Sequence, residues 1–406
     1  MLVLGVRQRR SRQVILWDSY MGGGQSLGVV GEHTVVALAR SGFDVRARPW
    51  NLSRQMRRAL FANDQQSDRA GYPWGKRFVE EIGPEVSGLI DAGQGGIDMR
   101  AERHSLGITW AWLSEFLHPY WRHVPVRAGY AFHDRTTISA IQRRAVETVD
   151  TLFVPSNYVR HNLVRDGVTV PIDVWPHGVD TSFFTYAPPP NHGPFTFLFV
   201  GVAQKRKGVS EIVSAFRAAF PASVTDVRLV VKSADWGDLS ALRDGIADAR
   251  IEWLHQNLSR AELRALLWQC HCLVVASRAE SFCLPALEAM AVGRPVITVA
   301  YGGQLDFCSP SSGYLVPVER MEPMLGRFEA KVQGYTTPPE WAVVSVEALA
   351  ETLRHVYRNP EECKTRGDIA LNVARGWTWE AGVHRIASVL HDLLSTATAE
   401  AIPTWS

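Results

Sequence analysis

The chain has 406 residues, 46% of them hydrophobic and 21% charged, with 43 basic and 41 acidic side chains. That length is too great for one core and sets an expectation of about two domains; the composition excludes a fibrous or disordered protein. A net charge of +2 supplies no global field for nucleic acid, and no apolar run approaches the roughly 20 residues that span a bilayer.

Met1 to Val6 is too short for the apolar core of a secretory signal. The basic run RQRRSR, Arg7 to Arg12, reads first as a solvated tail and second as a peripheral contact for anionic lipid. Five cysteines, odd in number and without CxxC spacing, argue for reduced thiols and a cytoplasmic setting. Cys270-His271-Cys272 has a metal-like look. It runs into a strand, however, where adjacent residues point to opposite faces, and a buried structural role is the expectation.

The first half opens with the apolar run QVILWDS, Gln13 to Ser19, which ends at the glycine cluster MGGGQSLGVVG. A helical pattern, GEHTVVALARSGFDV, follows and stops at Gly42, giving a β-loop-α-β unit. The glycines do not match GxGxxG in register, so a dinucleotide fingerprint is absent. Asn51 to Arg103 shows no clear pattern. The tryptophans of TWAWLSEFLHPYW are expected in the core, with an acceptor groove as the other reading. VPVRAGYAFHD and TLFVPS read as later strands.

Proline and glycine in APPPNHGP, Ala187 to Pro194, preclude regular structure and mark a break, with a domain expected over 1–188 and a second from 189. The second half alternates strand FTFLFVG, helix GVSEIVSAFRAAF, strand VRLVVK, helix DLSALRDGIAD, strand IEWL, helix SRAELRALLWQ, strand CLVVAS, helix PALEAMAVG and strand PVITVA. Such alternation specifies an α/β fold, a parallel sheet with helices on both faces. Its ligands bind beyond the carboxyl ends of the strands, and two such halves would leave a cleft between them.

Two groups of residues fall at those strand ends. In ESFCLPALEAMAVGRPVI, Glu280 precedes a helix start and Glu288 lies about one turn inside it. Pro285 suits the first turn, and free N–H groups around Cys283 and Leu284 can hold an anion. Glu288 would then accept from ribose hydroxyls and Glu280 from a sugar beyond the phosphate. The other reading, a dipole-favoured first-turn glutamate and a surface charge, is equally compatible with this motif alone. The second group is FLFVGVAQKRKG, where Gly201 ends a strand and Lys205, Arg206 and Lys207 precede Gly208. A basic turn there can neutralise the charge that develops on a departing nucleoside diphosphate. No Asp-x-Asp occurs, so cationic side chains and helix N–H groups are expected in place of a metal, and no cofactor is expected besides the nucleotide-sugar substrate.

With these residues the chain resembles the family-four (group 1) retaining glycosyltransferases of the GT-B fold. The likeness rests on ESFCLPALEAMAVGRPVI, on GGQLDFCSPSSGYLVP, on VGVAQKRKG, on VPSNYVRHNLVRDGV…VWPHGVD and on GWTWEAGVHRIASVL. It spans most of Val126 to Leu390 and is weaker over Asn51 to Trp121. It implies two Rossmann-like domains, the second ending near 376, with 377–406 crossing back onto the first. It also implies that Glu288 binds ribose and that Glu280 binds the donor sugar. Lys207 would meet the diphosphate beside Arg206. Ser281, Phe282, Cys283 and Leu284 would line the phosphate, with Gly23 and Gly24 near it, and His133 in YAFHDRTT would stand close to the transferred sugar. Two departures are Val202, where the family often has arginine, and Ser281-Phe282-Cys283, where it has Gly-Phe-Gly.

The resulting expectation is transfer of a sugar, with retention, to a glycan, lipid-linked or small-molecule hydroxyl acceptor. His133, Glu280 and Lys207 are the catalytic candidates. A sugar-nucleotide epimerase and a non-catalytic nucleotide-sugar or glycan-binding protein are the alternatives. Glu319 to Trp341 reads as an insertion near the donor site with no assigned role.

Overall fold

The computed structural model describes residues 13–19, 26–49, 105–117, 124–234 and 247–400. The expected helix at 238–248 lies largely outside them, and the Arg7–Arg12 run and the pattern-poor 51–103 segment lie wholly outside them. The chain divides into two compact units. One comprises Met1–Tyr130, Ala145–Leu152 and Val383–Ser406; the other comprises Ala131–Arg144 and Phe153–Gly382.

The first sheet contains β1 (Val14–Ser19), β2 (Asp44–Pro49), β3 (Ser105–Ala111), β4 (Val126–Ala131), β5 (Thr151–Val154) and β6 (Ile172–Val174), in the order β2-β1-β3-β4-β5-β6. Strand β1 pairs in parallel with both β2 and β3. Every residue of β3 is buried, so Trp110 is a core residue, while Trp112 beyond the strand is exposed. Helix α1 (Ser26–Arg40) starts five residues before the apolar pattern does.

The second sheet has β7 (Phe195–Gly201), β8 (Val227–Ser233), β9 (Ile251–His255), β10 (Cys272–Val275), β11 (Val296–Val299) and β12 (Gly313–Val316), ordered β12-β11-β10-β7-β8-β9. All its pairings are parallel. Burial on both faces explains why these strands are nearly continuous apolar runs, with no alternation. The expected pair of parallel α/β sheets is therefore what the chain forms. Strand order reverses between β7 and β10, and the carboxyl ends of those two neighbours flank the crevice where such sheets take ligands.

Helices α2 (Ala140–Val146), α3 (Asn157–Arg165), α4 (Val209–Ala219), α5 (Arg260–Trp268) and α6 (Leu284–Ala291) connect these strands. Ser259 and Glu262 close a reciprocal capping box on α5, which satisfies two otherwise unpaired donors. Helix α6 is apolar nearly all round because most of it is buried. The stretch at 187–194 has no regular structure. It is nevertheless tied down by the buried Arg294, whose guanidinium donates to the carbonyls of Ala187 (2.8 Å), Pro188 (3.2 Å), Trp268 (2.9 Å) and Cys270 (2.7 Å).

The 319–341 segment belongs to an antiparallel hairpin, β13 (Val318–Pro323) with β14 (Glu340–Val344), whose connection carries the short helix α7 (Arg327–Val332). Three helices complete the described chain: α8 (Val346–Arg358), α9 (Pro360–Ala374) and α10 (Trp379–Glu400). The distal part of α10 belongs to the first unit, where Gln13 donates to the Leu394 carbonyl and the Phe43 and His391 rings lie 5.0 Å apart.

Candidate functional site

Strand β7 ends at Gly201, where a Cβ would come within 2.9 Å of the Phe199 ring. The chain then forms one tight 3-10 turn, Lys205–Lys207. Gly208 closes it in the left-handed region, φ 65°, and a Cβ there would lie 2.2 Å from the carbonyl oxygen of Ala276, just past β10. The basic turn thus rests directly on the end of the neighbouring strand. Because both φ and backbone contact forbid a side chain, Gly208→Ala is expected to cost about 2 kcal/mol or more, read as a lowered urea midpoint.

The loop after β10 delivers Glu280 to the same place. Its buried carboxylate lies 2.5 Å from Lys207 Nζ and 3.4 Å from Arg206. Arg206 also donates to the Ala279 carbonyl at 2.6 Å and pairs with Asp134 at 3.1 Å. Two cations and two carboxylates therefore form a neutral, hydrogen-bonded cluster, the arrangement a buried charge requires. Burial pushes the Glu280 carboxyl up, but Lys207, then Arg206, together with a hydrogen bond from Ser277, outweigh it and hold the group down at about 2. At neutral pH Glu280 is a fixed anion and a poor proton acceptor.

Ser281 accepts a 2.6 Å hydrogen bond from Ser156 through its carbonyl. Phe282 is built into an aromatic cluster, 4.8 Å from His177 and 5.0 Å from Phe307. Cys283 caps α6 at φ 77° and is the one non-glycine residue among those described with positive φ. A left-handed backbone with a Cβ costs about 1–2 kcal/mol, which glycine at this position would not incur. Beyond it stand Leu284, which keeps its N–H at the helix start, and Pro285, which has none, while the Ala286 N–H turns back to the Cys283 carbonyl at 3.1 Å.

Glu288 is half-buried on α6, and its carboxylate has no hydrogen-bond or ion-pair partner among the described residues. Burial raises its carboxyl to about 7, against the weaker opposing pull of Arg260 and Lys232. A carboxyl raised in the fold favours the native state while protonated. Its contribution is therefore greatest below about 4.5 and is lost as pH rises through about 7. Glu288→Gln is accordingly expected to raise the stability of the protein at pH 8 by about 1–3 kcal/mol, read as a raised urea midpoint.

His133, just beyond β4, is buried, and burial lowers its imidazole to about 4, so it is neutral near pH 7. Its Nε2 lies 3.2 Å from the Thr137 carbonyl. A carbonyl only accepts, so Nε2 carries the proton and Nδ1 remains an acceptor. The neighbouring Asp134 directs its carboxylate to Arg206; it does not orient the histidine. The structure thus brings Lys207, Arg206, Glu280 and Asp134 together, with the Cys283–Leu284 helix start following and Glu288 one turn on. Gly23 and Gly24 lie outside the described residues.

Among the described residues no cluster of three or more His, Cys, Asp or Glu is placed to hold a metal. The Cys270-His271-Cys272 run is structural: both thiols are buried and free, and His271 is engaged by Thr196 N and the Pro190 carbonyl. Also among the described residues, no helix is long and apolar enough to cross a membrane. Three contributors escape a reading of the sequence: Asp134 as the partner of Arg206, Ser277 as a donor to Glu280, and Tyr158, whose hydroxyl joins the Asp134 carbonyl at 3.3 Å and Tyr301 at 3.2 Å. Asp134 is flagged only by its adjacency to His133, and Ser277 only by its place at the end of strand CLVVAS; nothing local flags Tyr158.

The family model described as glycosyl transferases group 1 matches residues 185–330, a span that holds Lys207, Glu280 and Glu288. An MMP alpha-(1->4)-mannosyltransferase of Mycolicibacterium hassiacum is 28% identical over 196 residues, 47% of this chain and 45% of that protein. A D-inositol 3-phosphate glycosyltransferase of Pseudarthrobacter chlorophenolicus is 36% identical over 151 residues, 32% of this chain and 34% of that protein. The chain thus spans less than half the length of these relatives. Among solved structures, sucrose-phosphate synthase of Thermosynechococcus elongatus superposes with a TM-score of 0.64 at 18% identity, covering 95% of this chain and all of that one. Anabaena HepE in complex with UDP-glucose gives 0.62 at 14% identity, covering 94% of this chain and all of that one. Both share the GT-B fold of two parallel-sheet α/β domains.

Proposed function

From the premise that this chain carries a group 1 glycosyl transferase domain, we propose that it transfers a sugar, with retention, from a nucleoside diphosphate donor to a hydroxyl acceptor. One observation carries the reading. Where the strand order reverses, the cationic turn after β7 and the helix start after β10 converge on Glu280. The diphosphate would lie between Lys207 and the first N–H groups of α6, which stabilise the charge that accumulates as the glycosidic bond breaks. Glu288 would accept from the ribose hydroxyls, and ionised Glu280 from hydroxyls of the donor sugar.

Glu280 is held as an anion by two cations and burial keeps His133 neutral, so both are weak bases: a proton on Glu280 would neutralise the anion that Lys207 and Arg206 pair with, and one on His133 would leave a buried cation. The leaving phosphate is the better base, and attack would come from the same face it departs. The bare Nδ1 of His133 can accept a hydrogen bond from the transferred sugar. Lys207 and Arg206 supply the cationic charge that other transferases draw from a metal, so activity should survive EDTA.

Because the HepE complexes contain UDP and UDP-glucose, uridine nucleotides are the first to test, with GDP, ADP and their sugars beside them. A ligand that binds only the native state raises the melting temperature. The diphosphate that does so identifies the donor base, and its sugar should then be consumed in the presence of acceptor with the anomeric configuration kept. Failure of every nucleoside diphosphate to shift the melting point would overturn the proposal.

A further inference from the structure

The hairpin β13–β14 touches both loops that build the site. On one side it grips the basic turn. Trp341, itself buried, lies under two cations, with Arg278 4.6 Å and Lys205 5.3 Å from its ring. Its indole N–H donates to Glu322 at 3.0 Å, and Glu322 pairs with Arg278 at 2.7 Å. Arg278 is further fixed by Ala342, whose carbonyl takes its Nε at 3.2 Å and whose N–H reaches the Arg278 carbonyl at 2.9 Å. The Arg278 N–H in turn holds the Arg206 carbonyl at 2.8 Å.

On the other side the hairpin holds the loop after β4. Arg135 donates to the Tyr335 hydroxyl at 2.5 Å and Thr137 to the Thr337 carbonyl at 3.0 Å. The Glu340 N–H reaches Thr136 Oγ1 at 2.8 Å, and the Ala140 N–H reaches the Gly334 carbonyl, also at 2.8 Å. The Arg206–Asp134 pair at 3.1 Å joins the two gripped loops, so the contacts close into a ring from hairpin to Arg278, Arg206, Asp134, Arg135 and back through Tyr335.

We infer that this hairpin is a clasp that fixes the Lys205–Lys207 turn and the His133 loop in register, with Trp341 and Tyr335 as its positioning residues. Neither loop has regular structure beyond one 3-10 turn, so without external bonds each would have to be ordered when a ligand binds. A site whose groups are already locked avoids that loss. That the gripped loops serve a diphosphate rests on the proposed function; the clasp itself does not.

Amide hydrogen exchange on the full chain, paired with UDP binding by calorimetry, tests the inference. Trp341→Ala removes the shared ring face and is expected to speed exchange about tenfold in 203–209 and 277–280. Strands β8 and β11 should keep their wild-type rates, which separates loosening of the turn from general destabilisation. UDP affinity should fall about tenfold. Trp341→Phe keeps an aromatic face for both cations and should restore both readouts. Tyr335→Phe removes the hydroxyl that accepts from Arg135 while keeping the ring beside its guanidinium, and should speed exchange in 133–139 alone; it carries the test if Trp341→Ala does not fold. Faster exchange confined to 318–344, or no recovery with phenylalanine, would overturn the clasp. If wild-type protein does not bind UDP, GDP and ADP take its place in calorimetry; if none binds, the donor reading is at fault, and the exchange data still decide this inference.

Discussion

Lys207→Met is expected to lower sugar-transfer turnover by about a hundredfold or more, the loss typical when one charge-stabilising group is removed from a transition state. Methionine keeps the length and most of the packing of the stem, so the change is chiefly electrical. Ground-state binding of the nucleotide should suffer less, because under the proposed function α6 and Glu288 would still contact it. The expected pattern is therefore a fall in kcat with a modest rise in KM, the reverse of Glu288→Gln, where KM should dominate. Steady-state kinetics with the donor found by thermal shift would check it; a wild-type kcat would remove Lys207 from the chemistry. Lys207 is also the larger of the two attractions that hold the Glu280 carboxyl down, so in this variant the acid limb of stability should move to higher pH.

Glu280→Gln is expected to destabilise the protein by about 3 kcal/mol at pH 7, because it leaves the largely buried Lys207 and Arg206 without their shared anion. The pH dependence has a definite sign. The folded carboxyl sits at about 2 against an ordinary 4.5, so the native state favours the ionised form. That stabilisation, again about 3 kcal/mol, is complete above pH 4.5 and lost as pH falls toward 2. The gap between wild type and Glu280→Gln should therefore close on acidification. Urea unfolding at pH 7 and at pH 3 would read it. A gap that stays constant would mean that Glu280 acts through shape and not through charge. Salt should do little to this pair, since buried charges are screened weakly.

The alternation of strands and helices is legible along the chain alone, because burial on two faces leaves apolar runs and buried or amphipathic helices leave their own spacing. So are the two strand-end motifs, since glycine, proline and basic residues act locally: Gly208 has to be glycine where φ is positive, and Pro285 suits a first turn. Only the tertiary structure decided which charges meet. Arg206 reaches Glu280 because β7 and β10 are neighbours in the sheet, and Asp134, from the loop after β4, reaches Arg206 and not His133; spacing along the chain sets neither distance. The hairpin at 318–344 had no legible role for the same reason. Its partners, Arg135, Lys205 and Arg278, lie far away in sequence, and an ion pair or a stacked ring leaves no periodic trace in the residues that form it.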